Sequence, residues 1–375
     1  MSSIAINRIS VAVASPEAER YTKMADRERV ALILGAGWSA AVGYPLARDL
    51  IAGPVYAATE AARVRAQAVL ETFASWSAAR ADGAAEVFLA EVFAGRVKKR
   101  PDPQNPTMFD ADGGPPLPWS WAVETVQLRL AQQEPASISP ELRTRAFVYP
   151  PRHVNRLRYA ANLSLPANSR PHTAFLRALL GRYSISGVVT TNYDTLAERV
   201  LRHRAMRRDP EPGCFYGGLP RPQIAHGHLP WDRSDPHMRG GTGGLELTGT
   251  IPVFKLHGSL NWERCGQKIA LYRDQRLAYR RGGEAAIIPP TAEKQAEGWL
   301  AAVWEAAEVV LANSERWIVV GYSLPAYDEA IASLLHRAAV CGVTVAIALH
   351  DPHAPALAAR WSEVTALPVE PKPAL

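Results

Sequence analysis

Three cysteines in 375 residues, Cys214, Cys265 and Cys341, are too few, too scattered and odd in number for a disulfide framework. They fit a reducing compartment, so a cytoplasmic location is expected. No two form a C-x-x-C pair, which excludes a four-thiolate zinc site within one chain. G-x-x-x-x-G-K-[ST] is absent as well, and with it the P-loop ATPases. The N-terminal stretch "MSSIAINRISVAVASPEAER" has no basic segment leading into an unbroken apolar one, so no secretory signal is expected. Internal repeats are missing too. Uncharged runs are scarce: only residues 30–50, "VALILGAGWSAAVGYPLARDL", approach the ~18 residues of a membrane-helix candidate. Three glycines and Pro45 within that window argue against a lipid-facing helix.

What is present is an ordinary globular composition, 47% hydrophobic and 21% charged, with length enough for a real core. The net charge of +6 is carried mostly by arginine, in two clusters, 141–159 and 198–209. They suit an anionic partner, nucleic acid among them. No aromatic-interleaved or zinc-finger pattern accompanies them, so solvated helix faces are the favoured reading and direct nucleic-acid binding the lesser one.

Five short apolar or β-branched runs predict buried strands: 29–34, 186–191, 251–256, 317–320 and 343–349. The first, second and fourth end in small or turn-forming residues before a helical pattern. That repetition predicts an α/β fold with a Rossmann-like, mostly parallel sheet. Residues 55–165 predict a mostly helical insertion, with Val64, Ala68, Phe73, Trp76, Val87, Phe88 and Val92 at helical spacing. A second connector, 209–244, is dense in glycine and proline and reads as a structureless loop. Its His226, His228 and His237, with Asp232 and Asp235, raise the question of a metal. Their irregular spacing speaks against one, and no metal is expected.

Chemistry concentrates where the runs end. Gly35, Ala36, Gly37, Ser39 and Gly43 stand at a strand-to-helix turn, where glycines would let the backbone approach a phosphate and aim amides at it. Gly35-x-Gly37-x-x-Ala40 matches the dinucleotide fingerprint. The acidic partner that a hydride-transfer enzyme needs about 20 residues on falls near Glu60, in an alanine-rich helical stretch, so a dehydrogenase is poorly supported. "VVTTNYDTL" (188–196), "FKLHGSLNW" (254–262) and "WIVVGYSLPAYDEAI" (317–331) repeat the arrangement. Strand C-termini in an open α/β sheet line one crevice. Thr190, Asn192, Asp194, His257, Gly321 and Ser323 would converge there with the glycine turn. Singly, each fits a purely structural role: a strand-end cap, a satisfied core histidine, an ordinary turn.

These residues resemble the sirtuin superfamily, and more closely its bacterial sirtuin-like branch. "GAGWSAAVGYPLAR" (35–48) resembles the GAG-x-S…GIP-x-FR block, "TTNYD" the TQN-x-D block, "LHGS" the histidine block and "GYSL" the GTSL block. "PHTAFLRALL" (171–180) and "IIPP" (287–290) resemble further segments, and together the matches cover about a third of the chain. Residues 29–54 and 166–352 would then form a sirtuin-like NAD-binding domain. Residues 1–28 would be an N-terminal extension, 55–165 the insertion and 353–375 a tail. The departures are specific: only Cys265 stands where sirtuin deacylases carry a four-cysteine ribbon, Leu46 and Ala47 replace an Asp and a Phe, and Thr191 replaces a Gln. They argue against lysine deacylation.

The resemblance implies a zinc-ribbon-less NAD+ glycohydrolase, of the kind bacteria use in antiphage defence, with NAD+ as substrate. Asn192 would hold ribose hydroxyls and a water, and His257 would accept a proton. Asp194 would stabilise positive charge or orient its neighbours. Gly35, Ala36, Gly37, Ser39, Arg48 and Thr190 would hold the pyrophosphate and nicotinamide-ribose side, Arg48 by pairing with phosphate oxygens. Gly321 and Ser323 would face the adenosine half. A nucleotide-sensing module without turnover, and a protein deacylase or ADP-ribosyltransferase, are the alternatives. Unregulated NAD+ cleavage would drain the host's cofactor, so activity gated by homo-oligomerisation or by a protein partner is expected; the resemblance implies a DNA-translocating ATPase as one such partner. No membrane partner is expected.

Overall fold

The computed structural model describes residues 27–46, 49–52, 55, 60–80, 84–98, 115–131, 169–201, 214–221, 223–226, 244–246, 250–266, 268–272, 284–289 and 298–374. The expectations for Arg48, for the N-terminal extension up to residue 26 and for the arginine cluster at 141–159 lie outside the described residues. So do His228, Asp232, Asp235 and His237.

Strand β1 (Arg29–Leu34) is buried at five of its six positions. Such a run, buried on both pleat faces, belongs in the middle of a parallel sheet. It lies between β2 (Ser184–Thr190) and β10 (Arg316–Val320), parallel to both. With β3 (Cys214–Tyr216), β6 (Ile251–Lys255), β11 (Ala346–His350) and β12 (Val369–Lys372), the order is β12-β11-β10-β1-β2-β6-β3. Every pairing is parallel, so the fold is α/β and Rossmann-like. The chain leaves β1 toward β2 on one side and returns as β10 on the other. The sheet therefore has a switch point at β1. Among the described residues no helix is long and apolar enough to cross a membrane; residues 30–40 of the apolar window are spent on β1, a turn and the short helix α1 (Ala36–Ala40).

Two expectations need correction. The sheet does not stop near Leu349, because residues beyond it form α9 (Ala354–Thr365) and the edge strand β12 beside β11. Leu357, Trp361 and Val364 repeat at helical spacing, and Trp361 is fully buried. Pro371 and the charged Glu370 and Lys372 disguise β12, a composition that suits an edge. The 209–244 connector is likewise not structureless. It holds β3 and β4 (Ile224–His226) and runs into β5 (Gly244–Glu246), three-residue strands too short for periodicity to reveal. With β7 (Gly258–Cys265), β8 (Lys268–Tyr272) and β9 (Glu284–Ile287), the last two form a second sheet in the order β5-β4-β8-β7-β9.

Helices α2 (Glu60–Ala78), α3 (Ala85–Phe93) and α4 (Trp119–Ala131) lie within the expected insertion. Phe73, Trp76 and Phe88 meet edge-on and stacked, with ring centroids 5.1–6.4 Å apart. Arg65 forks onto Glu124 at 2.7 and 2.9 Å, joining α2 to α4. The apolar phase of α2 differs from the expectation: Ala62, Ala66 and Val69 are buried and Val64 is exposed. Helices α5 (Arg170–Arg182), α6 (Leu196–Leu201), α7 (Gly298–Ala312) and α8 (Glu329–Cys341) alternate with the strands of the larger sheet.

Candidate active site

At the C-terminal ends of β1, β2, β6, β10 and β11 a cavity of about 740 Å³ opens, where ligands bind in open α/β sheets. Its size is that of a small-molecule pocket. Ala36, Gly37, Ser39, Asn192, Asp194, His257, Gly321 and Ser323 all line it. Gly35 and Thr190 stand behind its wall. Thr190 Oγ1 donates to the Leu34 carbonyl at 2.8 Å and accepts from the Asn192 amide at 3.1 Å, tying β2 to β1.

The glycines serve a different purpose from the one expected. The Gly35 and Gly37 amides donate to the carbonyls of Val320 and Gly321 at 3.0 and 2.9 Å, so neither is aimed at a phosphate. A Cβ on Gly35 would lie 2.5 Å from the Gly321 oxygen, and one on Gly37 2.7 Å from the Gly321 Cα. Gly321 itself has φ +61°, in the left-handed region that glycine favours. The turn after β1 and the turn after β10 are pressed backbone to backbone. Only glycine fits.

Around this floor, polar side chains form a short chain. Asn192 Nδ2 donates to the Gly35 carbonyl at 2.8 Å and to Ser39 Oγ at 3.1 Å, and Ser39 donates to Asp194 Oδ2 at 2.8 Å. The other Asp194 oxygen accepts the Leu196 amide at 2.9 Å, capping α6. Of the two roles considered for Asp194, the geometry matches orientation of neighbours. Both Asn192 amide hydrogens are engaged by protein, and its Oδ1 makes no hydrogen bond among the described residues. Beneath them His172 is fully buried and donates from Nε2 to the Trp38 carbonyl at 2.7 Å. Burial holds its pKa below the ordinary value, so it stays neutral.

Past the end of β6, the neighbour of β2, His257, 3% exposed, has Nε2 3.8 Å from Asp328 Oδ1. The second Asp328 oxygen accepts the Tyr322 hydroxyl at 2.6 Å. Asp328 directly precedes α8 yet makes no side-chain cap to it. Tyr327 donates to Glu86 of α3 at 2.8 Å. Burial pushes the Glu86 carboxyl above its usual range, and the charges of Asp328 and Asp49 add to the effect. The same burial raises the phenols of Tyr193, Tyr322 and Tyr327, keeping them protonated donors. Tyr193 uses its hydroxyl on the Ile288 carbonyl at 2.9 Å.

Sequence reasoning missed Glu86, Asp328, Tyr327 and Asp351, all of which line the cavity. Asp328 and Tyr327 stand within a motif already singled out, and an acidic residue ahead of a helix reads as an ordinary cap. Glu86 gives no signal, sitting in the first turn of an apolar helix of another region. Among the described lining residues there is no lysine or arginine. Among the described residues no three His, Cys, Asp or Glu side chains are grouped to hold a metal ion.

No family model matches the sequence, and no curated protein matches it. Among solved structures the chain is similar to a mutant Sir2 homologue in complex with 2′-O-acetyl ADP-ribose. Identity is 17%, the TM-score is 0.36, and the match covers 90% of this chain and 87% of that one.

Proposed function

We propose that this protein is an NAD+ glycohydrolase that releases nicotinamide and ADP-ribose. One observation carries the proposal: Asn192 and His257, on neighbouring strand ends, face one cavity of about 740 Å³ at the switch point of the sheet. The resemblance of the motif blocks to bacterial sirtuin-like proteins supports the choice of substrate. In the reaction the bond from ribose C1′ to the pyridinium nitrogen breaks, and its electron pair leaves with neutral nicotinamide. No general acid is required. The burden is an oxocarbenium-like ribose and a positioned water. Asn192 Oδ1 orients the ribose hydroxyls or that water. Its Nδ2 is anchored to Gly35 and Ser39, so the amide does not turn. As the water oxygen bonds to C1′, His257 takes its proton, and Asp328 at 3.8 Å steadies the imidazolium that forms. Asp328 gives that side of the cavity a negative character, which favours a cationic ring. Arg48, outside the described residues, is the candidate for the pyrophosphate.

The proposal extends to an antiphage effector held inactive until it self-associates or meets a partner protein. Purified protein incubated with NAD+ should yield equal amounts of nicotinamide and ADP-ribose on chromatography. Bound but unconsumed nucleotide would support a sensing module instead, and cleavage only with an acyl-peptide or protein acceptor a deacylase or transferase. The protein is expected to elute larger than a monomer or to stay nearly inactive until a partner is added. A monomer working at full rate unaided contradicts the gating.

A further inference from the structure

Directly below the Asn192 segment lies a charge that the proposed chemistry does not use. Lys255, the last residue of β6, is 0% exposed and does not line the cavity. Its Nζ lies 3.4 Å from Glu198 Oε1, in the first turn of α6, and donates to the backbone carbonyl of Asp194. Glu198 is 2% exposed, and its carboxylate makes no hydrogen bond among the described residues, so Lys255 is its described counter-charge. Two charges taken out of water are weak evidence of a gain in stability, because desolvation offsets their attraction. A buried pair that contributes little to the fold invites the question of what else it holds.

The answer lies in the position of Lys255, two residues before His257. The segment joining β2 to α6 carries Asn192, Tyr193 and Asp194. It is laced to the end of β6 and the start of β7 at several points. Leu256 N donates to the Thr190 carbonyl at 3.0 Å, and Leu260 N to the Tyr193 carbonyl at 3.1 Å. Ser259 Oγ reaches the same Tyr193 carbonyl at 3.3 Å. Ile288 bridges both sides, accepting from Tyr193 and donating its amide to the His257 carbonyl at 3.0 Å. These bonds cover Thr190 and Tyr193. Beyond Tyr193, Lys255 ties the β6 side to the segment through the Asp194 carbonyl.

We infer that Lys255, held by Glu198, is a positioning residue: its bond to the Asp194 carbonyl sets the Asn192–Asp194 segment in register with His257. The Asp194 carboxylate reaches Ser39, and Ser39 reaches Asn192, so a shift at the Asp194 backbone is passed to the Asn192 amide. This rests on the proposed NAD+ hydrolysis for its kinetic consequence, though not for its structural one.

Removing Lys255 alone leaves Glu198 buried and uncompensated, so both charges are replaced together. Lys255→Met with Glu198→Leu keeps volume and removes the donor. Lys255→Gln with Glu198→Gln removes both charges and keeps a neutral donor near the Asp194 carbonyl. The expected result for the first pair is an unchanged or higher Tm and a kcat for NAD+ cleavage lowered roughly 10- to 100-fold. KM stays within about twofold, and amide hydrogen exchange across 191–196 is faster. The second pair recovers part of the lost kcat at the same Tm. Parent-like kcat and parent-like exchange in the first pair overturn the inference, as does activity that falls only in step with Tm in both pairs. If the parent does not cleave NAD+, the proposed function fails by itself. The exchange data then decide: equal protection of 191–196 in the parent and the first pair refutes the positioning role.

Discussion

The strand ends after β2 and after β10 each set a buried aspartate just ahead of a helix, and the two are used in opposite ways. Asp194 spends both oxygens on the fold, one on the Leu196 amide of α6 and one on Ser39. Asp328 leaves the N-terminus of α8 without a side-chain cap and turns to Tyr322 and, at 3.8 Å, to His257. A helix terminus with its cap withheld forgoes about 1 kcal/mol. The Asp328 carboxylate instead faces a histidine in the cavity. The lesson is that residue type and local context do not separate these aspartates; the destination of their oxygens does.

The sharpest way to break this comparison is to neutralise each aspartate. Asp328→Asn should lower NAD+ cleavage by about 100-fold or more, as expected when the partner of a general base is lost, with Tm within a few degrees of the parent. Asp194→Ala should weigh more on stability, costing about 2–3 kcal/mol in denaturant unfolding through a lost cap and a lost buried hydrogen bond, while the freed Ser39–Asn192 link lowers cleavage less than Asp328→Asn does. Equal losses of activity and stability in both variants would erase the distinction.

Between the two ends lies the glycine floor. Gly321→Ala puts a Cβ 2.4 Å from the Trp38 amide at φ +61°, and a loss of about 2–4 kcal/mol is expected. Calorimetric unfolding within 1 kcal/mol of the parent would contradict the backbone-to-backbone contact.

The smallest effects concern pH. Buried Glu86 holds its proton more tightly folded than unfolded, so its contribution to stability falls as pH rises above its ordinary 4.5 toward the raised value. His172 is the reverse: burial lowers its pKa, so stability falls as pH drops below its ordinary 6.5. Glu86→Gln should therefore raise Tm more at pH 8 than at pH 4.5, and a Tm gain independent of pH would contradict the assignment.

How much of this is legible beforehand follows from what a sequence displays. Strand β1 and its glycine turn are plain, because a short apolar run that stops at closely spaced glycines is too short for a buried helix and breaks where a strand would turn. The purpose of those glycines is not, since it depends on Gly321, nearly three hundred residues away, touching the same backbone. Asn192 and His257 stand out as polar residues at strand ends. Glu86 does not, because a glutamate in an apolar helix is ordinary until α3 carries it to Tyr327. β12 is hidden by Pro371 and its charged neighbours, whereas the Leu357, Trp361, Val364 spacing of α9 is a readable signal that the expected tail ignores.

The most direct test compares the parent with Asn192→Ala and His257→Ala in a single NAD+ cleavage assay, with folding of each followed by circular dichroism. Protein is taken from nanomolar to tens of micromolar, so that self-associated forms are sampled. The account predicts stoichiometric nicotinamide and ADP-ribose from the parent, and rates lowered about 100-fold or more in both folded variants. Variants that cleave NAD+ at the parent rate, or NAD+ recovered intact from a parent that is self-associated, would contradict it.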